Sequence, residues 1–176
     1  MKGKLLPFIL TACIILADQG VKSVIVRRWP LEAPNGMVFI TRVFDSDFLW
    51  IIHVRNKAIA FSIGSNLPDT VRPALFIVLP VIVLGFLLWY YARSKEFSGL
   101  QRWVVAGIIG GGAGNMIDRI FRPDGVVDFI SVAFYGLFGL DRWPTFNIAD
   151  ASVVVCCILL LLSLILPPKP PPRRNA

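Results

Sequence analysis

Of the 176 residues, 56% are hydrophobic and only 16% are charged, which leaves too little polar side chain to cover a soluble domain of this size. The mean hydropathy is +0.69 and the apolar residues come in long runs, so an ordinary soluble enzyme is excluded and a membrane protein is expected. The net charge of +7 comes with no basic stripe interleaved with aromatics, so no nucleic acid partner is expected and membrane lipids are the natural counterpart.

About 20 apolar residues cross the hydrocarbon core of a bilayer. Residues 5–26 form the first such run. Lys2 and Lys4 precede it, but it is too long for a secretory h-region and lacks a small-x-small cleavage site, so it reads as a retained helix. Residues 27–73 come next as the first long loop. Within it, residues 38–44 and 48–54 are rich in Val, Ile, Phe and Trp, with Asp45-Ser46-Asp47 as a turn between them, and residues 58–63 can add a further strand. This predicts a small antiparallel sheet on the membrane surface. Residues 74–92 form a second span, and the glycine-rich residues 103–121 a third. A second loop, residues 122–148, carries Phe134, Tyr135, Phe138 and Trp143, an interfacial composition. Residues 149–166 form the fourth span, opening at Asp150 and stopping at Pro167. The proline-rich residues 167–176 read as an extended, disordered tail.

Four spans put both ends on one side, together with the 93–102 turn. That side holds Lys2, Lys4, Arg93, Lys95, Arg102, Lys169, Arg173 and Arg174 against Glu96, which favours a cytoplasmic assignment, although Arg27 and Arg28 argue mildly against it. The expectation is therefore a mainly α membrane protein with one domain over residues 1–166, a small antiparallel sheet on the non-cytoplasmic side and a second loop on that side.

Charges inside spans cost about 2.5–3.5 kcal/mol each and call for an explanation. Asp18 and Lys22, four apart, stack on one helical face and can neutralise each other, either as a structural ion pair or as support for a site. In the third span Gly107/Gly111 and Gly110/Gly114 are small-x-x-x-small pairs suited to close helix packing. Asn115, Asp118 and Arg119 then fall at i, i+3 and i+4, on one side of the span's outer end. Asp128 lies in the apolar run Val126-Val127-Asp128-Phe129-Ile130, and Asp150 opens the fourth span one turn after Asn147. Either acid alone can be a cap or an anchor. Two at one membrane depth cannot both ionise cheaply, so one stays protonated while the other acts as a base, an arrangement that activates water.

Other chemistries lack their residues. Cys13, Cys156 and Cys157 sit in apolar runs without C-x-x-C spacing and His53 is the single histidine, so no metal, cofactor or disulfide is expected. Neither HExxH nor G-x-S-x-G occurs, and Gly112-Ala113-Gly114-Asn115 lacks the aspartate of the presenilin-like GxGD pattern. A transporter would place its ionisable groups near mid-bilayer, often in inverted repeats, whereas here they gather toward one interface without an internal repeat. A membrane-anchored interaction protein would leave the acids unexplained.

Five strings in order, Asp18-Gln19-x-x-Lys22, Asn56…Ala60-Phe61, Gly111…Gly114-Asn115-x-Ile117-Asp118-Arg119, Val126-Val127-Asp128-Phe129 and Phe146-Asn147-x-Ala149-Asp150, resemble those of lipoprotein signal peptidase, the type II signal peptidase of bacteria. The resemblance spans nearly the whole chain. It implies a four-span aspartic endopeptidase of the inner membrane with a periplasmic β-cradle and cytoplasmic termini. Such enzymes cleave diacylglyceryl-modified prolipoproteins just before the lipidated cysteine and are inhibited by globomycin. By resemblance the catalytic pair is Asp128 and Asp150. Asn56, Asn115, Arg119 and Asn147 line or brace the site, with Asp18, Lys22 and Asp118 in support. One position departs from the family: its Asn-x-Gly-x-Ala-Phe reads Asn56-Lys57-Ala58-Ile59-Ala60-Phe61.

Overall fold

A computed structural model of the chain describes residues 2–33, 36–57, 68 and 70–166. A short helix α1 (Lys2–Leu5) leads into α2 (Phe8–Arg28), followed by strands β1 (Met37–Val43) and β2 (Leu49–Asn56). A π-helical turn, Ala74–Val78, opens α3 (Leu79–Arg93). Then come α4 (Gly99–Phe121), β3 (Val126–Val132) and α5 (Ile148–Ile165).

Among the described residues, three helical segments are long and apolar enough to cross a membrane: Phe8–Arg28, Ala74–Arg93 and Ile148–Ile165. Their apolar side chains point outward, with Leu16 72%, Phe86 62% and Leu164 63% exposed, as a lipid-facing surface requires and a water-facing one does not tolerate. α4 is the interior helix. It is 23 residues long, begins at a Ser98/Gln101 capping box and packs against α2, α3 and α5. Its glycines explain how three neighbours fit around it. A Cβ at Gly110 would sit 3.1 Å from Cα of Thr11 on α2; one at Gly112 would meet Leu84 on α3; one at Gly111 would come within 2.5 Å of Ser152 Oγ on α5.

The helix ends sort into two levels. Lys4 Nζ donates to the carbonyls of Ala92 (2.9 Å) and Ser94 (3.0 Å), and Gln101 donates to Ser163 Oγ (3.3 Å). The start of α2, the α3–α4 connection and the end of α5 therefore share one end of the bundle. The sheet and the start of α5 share the other.

That sheet runs β1-β2-β3, antiparallel throughout. β1 and β2 fall within a residue or two of the expected hairpin, around the Asp45–Asp47 turn. The further strand expected over residues 58–63 lies outside the described residues, as does the proline-rich tail. The third strand comes instead from residues 126–132, which the sequence presents only as an apolar run. β3 is buried on both faces over Val126–Phe129, so it shows none of the alternation by which half-buried strands are recognised. Its register sets Asp128 opposite Val54 and Val126 opposite Asn56.

Candidate active site

Asp128 and Asp150 reach the site from different elements, one from β3 and one from the first turn of α5. Both line a single cavity of about 1510 Å³ between the sheet, α4, α5 and the start of α3. Asn147, wholly buried, joins them. As N-cap of α5 it accepts the backbone N–H of Asp150 (2.9 Å) on its Oδ1, while its own N–H reaches Asp150 Oδ2 (3.2 Å). Its Nδ2 donates to Asp128 Oδ1 (2.7 Å) and to Asn115 Oδ1 (3.1 Å). Asn115 donates to Asp150 Oδ1 (2.6 Å), and Asn56 donates to Asp128 Oδ2 (3.0 Å). Each carboxylate is thus held by amides from neighbouring elements, and among the described residues neither is in an ion pair.

Neutral donors screen a buried charge less than a cation does. Burial, reinforced by the nearby Asp150 carboxylate, pushes the Asp128 carboxyl up to about 7, against the opposing pull of Asn56, Asn147 and Lys22. Near neutral pH the Asp128 carboxyl is therefore poised between its protonated and ionised forms.

Beneath the cavity lies a charged cluster in which Asp18, Lys22 and Asp118 have no exposed surface. Lys22 Nζ contacts Asp18 Oδ2 (2.7 Å), Asp118 Oδ2 (3.0 Å) and Asn115 Oδ1 (3.1 Å), using all three ammonium protons. Asp118 also takes Gln19 Nε2 (2.9 Å), the guanidinium of Arg122 and the backbone N–H of Val127 (3.0 Å). Asp18 takes the N–H of Ala149 (3.1 Å). Such full pairing is what makes buried charges tolerable.

The expectation that Asn115, Asp118 and Arg119 share one side needs refining. Asn115 and Asp118 turn to Lys22, whereas Arg119 lines the cavity with its guanidinium 5.3 Å from the Phe76 ring centroid. Sequence reasoning gave no site role to Arg122, although its i+4 spacing from Asp118 is a visible signal, nor to Arg55 and Arg142, which line the cavity from the sheet and the second loop. No cluster of three or more His, Cys, Asp or Glu able to hold a metal occurs among the described residues. His53 is buried away from the carboxylates, its Nδ1 2.7 Å from the Trp29 carbonyl, and burial lowers its pKa.

Residues 10–166 match the family model described as signal peptidase (SPase) II. The chain belongs to the signal peptidase II family. Members of this aspartic peptidase family cleave signal peptides from prolipoproteins. Relatives named lipoprotein signal peptidase include that of Treponema pallidum (strain Nichols), 40% identical over 87% of this chain and 79% of the relative. That of Borreliella afzelii (strain PKo) is 44% identical over 84% and 82%. A solved structure described as a bacterial membrane enzyme, determined in meso at 2.3 Å, superposes with a TM-score of 0.72 at 25% identity, over 91% of this chain and 87% of that one. A second, at 1.9 Å, shares the fold with a TM-score of 0.73 at 23% identity, over 93% and 94%. The signal peptidase II assignment agrees with the apolar helices of membrane-crossing length.

Proposed function

We propose that the chain is an intramembrane endopeptidase that removes the signal peptide of diacylglyceryl-modified prolipoproteins, cutting on the N-terminal side of the lipidated cysteine, with Asp128 and Asp150 as the catalytic pair. The observation that carries this reading is the convergence of two carboxylates on one cavity, each held by asparagine amides. The ionised member takes a proton from water, which attacks the scissile carbonyl. The protonated member donates to the developing oxyanion and then helps protonate the leaving amine. A coupled pair titrates as a unit, so the proton belongs to both. Asn56, Asn115 and Asn147 hold the carboxylates, Arg119 flanks the substrate, and Asp18, Lys22 and Asp118 fix the elements that carry the pair.

α4 is read as a further span, the third in chain order: 23 residues extend about 35 Å, against a hydrocarbon core of about 30 Å. Its glycines and polar outer end lower its hydropathy, and its interior position shields them from lipid. The site then lies at the periplasmic face of the bacterial inner membrane, with both termini cytoplasmic. The substrate enters laterally between helices, where membrane lipids and globomycin-type inhibitors also reach the cavity.

Purified protein in nanodiscs, incubated with a diacylglyceryl-modified prolipoprotein, should cleave it, and globomycin should block cleavage. Asp128→Asn and Asp150→Asn should each lower the rate by about 10²–10⁴-fold with the protein still inserted and folded. Full activity in either variant would overturn the assignment.

A further inference from the structure

We infer that Arg142 is a positioning residue of the peptidase reaction, one that locks residues 142–146, a wall of the cavity, against the sheet and so sets how tightly substrate is held. Its guanidinium is half-buried and makes contacts on several sides. Nε donates to Ser131 Oγ (2.7 Å), Nη2 to the Ser131 carbonyl (2.7 Å) and Nη1 to the Asp47 carbonyl (2.9 Å). The plane lies over Trp50, 3.7 Å from the ring centroid, and Trp50 is braced edge-on by Phe39 at 5.3 Å. One side chain therefore ties the second loop to β2, to β3 and to the turn between β1 and β2.

The lock bears on the cavity through the residues immediately after it. Trp143 N–H donates to the Val132 carbonyl (2.8 Å), and Phe146 exchanges backbone bonds with Ile130 (3.0 and 2.9 Å), so residues 142–146 run beside the outer edge of β3. Trp143, Pro144, Thr145 and Phe146 all face the cavity, and the next residue, Asn147, donates to Asp128. The catalytic end of this wall is fixed by Asn147 and its remote end by Arg142. A clamp at the remote end governs the shape of the wall more than the state of the acids. Lysine replaces it only in part, because a point charge keeps the cation but supplies neither the planar fork nor the stacking face.

The inference rests on the cavity being the peptidase site. The test is steady-state cleavage of a lipidated prolipoprotein by the full chain in nanodiscs, with binding of the same substrate measured in an Asp150→Asn background. Arg142→Ala should raise KM and the dissociation constant about tenfold, with kcat within about threefold and the pH profile of kcat unmoved. Trp50→Ala should reproduce this, and Arg142→Lys should rescue it only in part. Should Arg142→Ala not fold, Arg142→Lys is compared with wild type by the same two readouts. Unchanged KM and binding in a folded variant would overturn the inference, as would a loss confined to kcat with a shifted pH profile. Neither result touches the aspartate assignment, which full activity in Asp150→Asn would overturn.

Discussion

Asp18 Oδ1 accepts the backbone N–H of Ala149 at 3.1 Å, fixing from α2 the residue just before Asp150. Asp118 does the same for the other acid, accepting the N–H of Val127 at 3.0 Å just before Asp128. Both supporting carboxylates converge on Lys22, so a single ammonium group sets the spacing of two residues from distant parts of the chain.

Removing that ammonium leaves two buried carboxylates facing each other. Lys22→Met should cost about 3–5 kcal/mol, the usual penalty for breaking a buried ion pair from one side. Thermal unfolding in detergent should show a large fall in midpoint, partly recovered in Asp18→Asn/Lys22→Met, where one orphaned charge is also gone. A wild-type midpoint in Lys22→Met would contradict the cluster.

Asp128 carries a pH signature in stability. Its folded pKa of about 7 lies above the ordinary 3.8, so the folded state binds this proton more tightly than the unfolded one does. The resulting stabilisation is complete below about pH 4 and is lost as pH rises through 7. Asp128→Asn removes this dependence. Between pH 5 and 8 the variant's melting midpoint should rise relative to wild type, by an amount corresponding to a few kcal/mol. Parallel midpoints across that range would show that Asp128 is not raised.

The same proton should govern the rate. In the proposed mechanism one carboxyl of the pair must be protonated, so kcat/KM should fall on the alkaline side with an apparent pKa near 7, belonging to the pair as a whole. A profile flat to about pH 9 would contradict the shared proton.

Gly111 marks where α4 and α5 meet. A Cβ there would come within 2.5 Å of Ser152 Oγ and 2.7 Å of Val153 Cγ2, both close below Asp150 on α5. Gly111→Ala should cost about 1–3 kcal/mol by overpacking and lower activity by displacing the start of α5. Gly85→Ala and Gly20→Ala have nothing within 4 Å and should leave both unchanged. Equal behaviour of all three variants in melting and cleavage assays would remove the packing argument.

The apolar helices and the β1–β2 hairpin are legible in the chain alone. Each is encoded by neighbours in the chain: a run of about 20 apolar residues, or two β-rich runs around Asp45-Ser46-Asp47. The ion pair of Asp18 and Lys22 was equally legible, since i,i+4 spacing on a helix brings the two side chains together. That residues 126–132 form the third strand emerges only in the folded molecule, because that strand is specified by pairing with β2, far away in the chain, and by burial on both faces. The tertiary structure also separates three acids that composition presents as alike. Asp118 is matched by Lys22 and Arg122, cations that neutralise its charge, whereas Asp128 and Asp150 are met by asparagine amides, which hold a carboxylate without neutralising it. Which partner each carboxylate meets is a property of how α2, α4, α5 and β3 pack together, and no local pattern in the chain carries it.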